Sequence, residues 1–121
     1  MPDLILGARA ECKRSFSAED LASYAGLAGG APGDTVPEPL IGGMFSYLLG
    51  TRLPGPGTNY LKQRIVFLGP ARPGEQLIAA VEVSRVRPEK DLIYLLTTCH
   101  GADGRLVAEG EALVLVKDVD V

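Results

Sequence analysis

The sequence predicts an α+β fold: a curved antiparallel sheet wrapped around one long central helix. Three observations carry that reading. Leu40 to Arg52 is apolar on nearly every side of a helical projection, which calls for burial. From Asn59 onward, strand-like segments follow one another, separated by short connections rich in Gly, Pro and charged residues. The composition is aliphatic, 46% hydrophobic with only 6% aromatic residues and no Trp, as suits a core built largely from strands. At 121 residues the chain makes one domain, 1–121, large enough to bury a core without metal or disulfide support.

Taken in order, Leu4 to Phe16 reads as an irregular lead-in and a first strand, Ala8 to Arg14. Ser17 followed by Asp20 fits a reciprocal helix cap, and Leu21, Tyr24, Ala25 and Ala28 recur at helical spacing behind it. Gly29-Gly30 ends that helix because glycine takes left-handed backbone readily. Ala31 to Glu38 carries two prolines and reads as a loop. Pro39 suits the first turn of the central helix, where its missing amide hydrogen costs nothing. Gly42, Ser46 and Gly50 lie four apart along it. Interior glycines cost about 1 kcal/mol each relative to alanine, so a close approach of a sheet or a partner is expected there.

Strands are then expected over Asn59 to Leu68, Leu77 to Val86, Leu92 to His100 and Arg105 to Val116. In the first of these, Leu61, Ile65 and Phe67 alternate with Tyr60, Lys62 and Arg64. This order gives a hot-dog-like sheet with an open edge. Pairing two such edges across a two-fold axis covers them, so a homodimer is expected.

A net charge of −3 argues against a nucleic-acid partner, which needs a concentrated basic surface. No signal segment is recognisable, and no apolar run approaches the roughly 18 residues needed to span a bilayer, so a cytoplasmic protein without a membrane span is expected. Cys12 and Cys99 lack metal-ligand spacing and read as reduced, packed thiols. His100, the single histidine, reads as a surface hairpin residue. One His and two scattered Cys make no metal site.

The stretch Leu48-Leu49-Gly50-Thr51-Arg52-Leu53-Pro54-Gly55-Pro56-Gly57-Thr58-Asn59-Tyr60-Leu61, with Gln63 and Phe67 beyond it, resembles the MaoC-like (R)-specific enoyl-CoA hydratases. Ser17 to Ala28 resembles that family's first helix, Gly69 to Glu75 its inter-strand turn, and Cys99 to Ala112 its last hairpin. The resemblance implies a hot-dog fold, a CoA thioester as substrate or ligand, and no separate cofactor.

In that family a motif Gly-Asp-x-Asn-Pro-x-His supplies an aspartate and a histidine that act on one water, so both must lie within hydrogen-bond reach of it. Aligned on Pro32, the aspartate falls on Gly29 and the histidine on Asp34. The dyad is therefore expected to be missing. The family's His-Gly at the helix start falls on Pro37-Glu38 in the ungapped register. That register is preferred because shortening a packed helix would empty the core. The loop over the acyl pocket is shorter than the family's.

Asp34 and Glu38 are the carboxylates near the expected site and the weak candidates for a catalytic base, although acidic residues at a helix start are commonly caps. By resemblance, Ser46, Tyr60 and Gln63 line an acyl pocket. Lys62 and Arg64 on one strand, with Arg85, Arg87 and Lys90 farther on, are candidate phosphate contacts. The expected function is binding of acyl-CoA or an acyl carrier thioester with little or no hydratase activity. The alternatives are a non-catalytic subunit paired with a catalytic homologue, and a thioesterase using Asp34 or Glu38.

Overall fold

Ser17 and Asp20 form the reciprocal cap that their spacing predicts. The Asp20 amide donates to Ser17 Oγ over 3.1 Å, and the Ser17 amide donates to Asp20 Oδ2 over 2.9 Å. They launch α1 (Ala18–Ala28), which buries Leu21 and Ala25 and stops at Gly29, a left-handed residue with φ 81°. The structure is a computed structural model that describes residues 6–29 and 33–119. The expected start at Leu4 and the Gly30 to Pro32 part of the loop lie outside the described residues.

The central helix α2 (Glu38–Thr51) begins two residues earlier than its apolar run, with Pro39 in its first turn. It buries Ile41, Met44, Phe45, Leu48 and Leu49. Each fully buried side chain of that size contributes about 1.5–3 kcal/mol relative to exposure. The expectation of burial on nearly every side is corrected on one face: Gly43, Ser46, Tyr47 and Gly50 are exposed. Nor do the glycines mark a tight approach along the whole helix. A Cβ on Gly42 would touch Ile65 Cδ1 at 3.7 Å, an ordinary contact, while one on Gly43 or Gly50 would meet nothing within 4 Å. An apolar run shows that a helix is buried somewhere; the covered side depends on what packs beneath it.

The segment after α2 is fixed by backbone bonds. The Leu53 amide donates to the Leu48 carbonyl over 2.9 Å and the Gly55 amide to the Leu49 carbonyl over 3.0 Å. Thr58 Oγ1 donates back to the Gly55 carbonyl over 2.7 Å. Gly57 has φ 94°, and a Cβ there would collide with the Asp118 backbone, so two independent constraints call for glycine.

The sheet is formed by β1 (Arg9–Arg14), β2 (Asn59–Phe67), β3 (Leu77–Arg87), β4 (Leu92–His100) and β5 (Leu106–Leu115), with a 3-10 turn, Pro88–Lys90, between β3 and β4. Its order is β1-β3-β4-β5-β2, antiparallel throughout. Its inner face carries Ala79, Val81, Val83, Ile93, Leu95, Cys99, Ala108, Ala112 and Val114, all buried in one core with the α2 side chains. α2 packs on β3 and β1, and the far edge strand β2 comes up on its other flank. This is the sheet wrapped around a helix that the sequence predicts.

Cys12 and Cys99 both flank Ala79, one on each neighbouring strand, and both are free. Two strand spacings of about 4.8 Å separate their backbones, beyond disulfide reach. Burial pushes the Cys99 thiol up to about 11.

Candidate functional site

Tyr60 of β2 and Ser46 of α2 meet side chain to side chain, with Tyr60 Oη donating to Ser46 Oγ over 3.2 Å. A bulge brings them together. Tyr60 pairs with Val114 and Lys62 with Leu113, so Leu61 is an extra residue in β2. Simple alternation would put Tyr60 on the face of Lys62 and Arg64. The bulge instead puts it with Gln63, which pairs with the buried Ala112, on the face turned toward α2. Burial pushes the Tyr60 hydroxyl above its ordinary value, and its bond with Ser46 opposes that shift. The phenol is therefore a neutral donor near pH 7. The pair can hold a carbonyl or hydroxyl, but neither group is an acid or base suited to moving protons at that pH.

Lys62 and Arg64 lie on the outer face of β2, away from Ser46. They line a shallow cleft with Tyr94 and Glu111, and Arg64 stands directly opposite Glu111 in the ladder. The structure does not gather them with Tyr60 and Ser46. Arg87 pairs with Glu89 over 3.1 Å, and Arg85 lies 5.4 Å from the Tyr94 ring centre.

Asp34 and Glu38 are both exposed, but their positions differ. Glu38 lines a cleft of about 350 Å³ with Ile41, Phe67 and Ala71 at the start of α2; Asp34 does not line it. The backbone bond from the Val36 amide to the Ala71 carbonyl, 2.7 Å, holds this loop against the β2–β3 connection. His100 ends β4, whereas Tyr60 lies level with Ile93 through Val114. Seven residues of strand, about 20 Å, separate those levels. Among the described residues, no three His, Cys, Asp or Glu side chains gather to hold a metal ion, and no helix is long and apolar enough to cross a membrane.

Sequence reading missed a larger cleft of about 540 Å³ between β1 and α2, edged by Lys13, Arg14 and Arg52. Arg52 lies about forty positions from Lys13 and Arg14 in the chain, and only the packing of α2 on β1 brings it near them.

The architecture is a hot-dog fold in which the Tyr60–Ser46 pair links an edge strand to the central helix. Over 126 residues the chain is 32% identical to the (R)-specific enoyl-CoA hydratase of Aeromonas caviae, covering 92% of this chain and 94% of that one. It therefore belongs to the MaoC-like (R)-specific enoyl-CoA hydratase family. A solved structure of an A. caviae (R)-hydratase superimposes with a TM-score of 0.85 at 30% identity, covering 94% of this chain and 98% of that one. The (R)-specific enoyl-CoA hydratase of Rhodospirillum rubrum is 47% identical over 77 residues, 64% of this chain. That match spans only 53% of the Rhodospirillum protein. No family model matches the chain.

Proposed function

We propose that the protein binds acyl thioesters, as acyl-CoA or on an acyl carrier, where α2 meets β2, and that it has little or no hydratase activity. The observation that carries this reading is the Tyr60–Ser46 pair on the open flank of α2. Two neutral hydroxyls beside the apolar residues of α2 suit a polar carbonyl attached to an apolar chain, with Gln63 on the same face of β2. The mismatch of Gly29 and Asp34 with the family's dyad supports weak chemistry. So do the exposure of Asp34 and the place of His100 at the other end of the sheet. In this reading Lys62 and Arg64 meet ligand phosphates only where the ligand passes over the β2 edge.

The reading includes a homodimer joined along β2. That strand has a sheet partner on one side only, and Leu61, Val66 and Leu68 are 54%, 43% and 51% exposed. Such an edge is normally covered.

Crotonyl-CoA hydration, followed by loss of enoyl absorbance, tests the chemistry. Turnover in the ordinary range of about 1–10³ s⁻¹ would overturn the reading. Butyryl-CoA is expected to raise the melting temperature by mass action, and no shift at saturating ligand would remove the binding function.

A second reading, thioester hydrolysis, is favoured by Glu38 alone, since Glu38 and not Asp34 faces a cleft. Glu38→Gln is then expected to abolish hydrolysis of butyryl-CoA while Asp34→Asn leaves it unchanged. Hydrolysis that survives Glu38→Gln eliminates this role.

A further inference from the structure

The outer face of the sheet, turned away from α2, carries an apolar strip. Alternation puts Leu92, Tyr94 and Leu96 on the side of β4 opposite the buried Ile93 and Leu95. In the β4–β5 ladder Leu115 stands opposite Leu92, and Leu113 opposite Tyr94. Leu96 is 45% exposed, and the other four are half-buried.

Cations flank this strip on both sides. Arg85 of β3 pairs with Tyr94, and Lys62 of β2 pairs with Leu113, so one row across the sheet reads Arg85, Tyr94, Leu113, Lys62. Both cations are exposed, and Arg85 lies 5.4 Å from the Tyr94 ring centre. Among the described residues, no ion pair includes either of them. The neighbouring rows are balanced. Level with Leu96, Glu82 stands opposite Arg9, and Glu111 opposite Arg64. Level with Leu92, Arg87 is paired with Glu89 over 3.1 Å. The surplus positive charge therefore sits at the Tyr94 level, in a chain whose net charge is −3.

We propose that this face docks an acidic amphipathic helix of a partner protein. Its apolar stripe lies along Leu92, Tyr94, Leu96 and Leu113, and carboxylates on its two sides reach Arg85 and Lys62. The widths match: three strand spacings, about 14 Å, separate β3 from β2, and a helix with its side chains is about 10–12 Å across. A cleft of about 490 Å³, lined in part by Lys62, Tyr94 and Leu113, takes one of its side chains. A second copy centred on the Tyr94–Leu113 pair sets cation against cation about either two-fold axis in the plane of the sheet. A lipid surface calls for protruding apolar side chains, and four of these five are recessed. Edge pairing along β2 leaves this face open.

The test is an anisotropy titration of a labelled helical peptide of about 15 residues with the full chain. The peptide carries Leu along one face and Glu along both sides of it. It is compared with one peptide bearing Lys for Glu, another bearing Ser for Leu, and vesicles of phosphatidylglycerol. The acidic Leu peptide is expected to bind about tenfold or more tightly than either other peptide, and to weaken as salt is added. Arg85→Glu is expected to lower its affinity about tenfold. Lys62→Glu acts in the same direction without moving the melting temperature, and Leu96→Ser costs about fivefold.

Absence of binding, binding unchanged by Arg85→Glu, or equal affinity for the Lys peptide would overturn the proposal. Vesicle binding tighter than peptide binding would assign the face to a membrane, and self-association dissolved by Leu96→Ser would assign it to a second copy; either result overturns it too. Tyr60→Phe is expected to leave peptide binding intact, so this face and the acyl-thioester site stand or fall separately.

Discussion

Thr97 lies opposite Gly110 in the β4–β5 ladder, and the space that a Gly110 side chain would need is taken by the Arg64 carbonyl of β2. The edge strand thus presses against β5 at the one inner position without a side chain. Thr97 is fully buried beside it, and among the described residues its hydroxyl has no hydrogen-bond partner.

An unpaired buried hydroxyl costs about 1–3 kcal/mol of desolvation. Thr97→Val keeps the branched shape and removes that cost. It is expected to stabilise the protein by about 1 kcal/mol, seen as a melting temperature about 3–6 °C higher. A lower melting temperature would mean that the hydroxyl is satisfied in solution.

Gly57 is expected to tolerate no side chain. Gly57→Ala must place a Cβ against the Asp118 backbone at a φ of 94°. Left-handed strain and overpacking together cost about 3 kcal/mol or more, so the melting temperature should fall by more than about 10 °C. Gly26, inside α1 with open space around it, is the contrast. Gly26→Ala is expected to add about 0.5–1 kcal/mol, measured in the same denaturation series.

Tyr60→Phe removes one exposed, neutral hydrogen bond. Affinity for butyryl-CoA should drop about fivefold with stability unchanged, which thermal-shift titration can separate. Unaltered affinity would detach the Tyr60–Ser46 pair from ligand binding.

Acid should loosen the hairpin end of the sheet. Glu75 accepts from the Arg72 amide over 3.1 Å and from Arg105 Nη2 over 3.0 Å. The backbone bond first, and then Arg105, hold its carboxyl below the ordinary value of 4.5. A depressed carboxylate contributes stability that is fully present above its unfolded value and is lost as pH falls through the folded one. Stability measured by urea titration should therefore decline below about pH 4.5. Glu75→Gln should flatten that decline, and an identical acid profile in the variant would show that other groups control it.

Much of the fold was legible because it rests on local chemistry. The Ser17–Asp20 cap, the Gly29 stop, the strand from Leu92 to His100 and the turn through Asp103-Gly104 all depend on residues within a few positions of one another. The site was legible only in part. Ser46 and Tyr60 were expected near one ligand and do touch. Lys62 and Arg64 were expected on the Tyr60 face, and the unpaired Leu61 reverses that placement. One bulged residue inverts every later side chain in a strand, and nothing in the Asn59–Phe67 alternation marks where the extra residue sits.

The sequence alone determined the α+β class, the element order and the apolar helix at the centre, since capping, glycine conformations and hydrophobic period act along the chain. Tertiary structure decided which side of α2 stays open, which face of β2 carries Tyr60, and that Lys13, Arg14 and Arg52 share a cleft. Those outcomes depend on the register of β2 and on how α2 lies over β1 and β3. Both are set by packing between segments tens of residues apart, where local propensity carries no information.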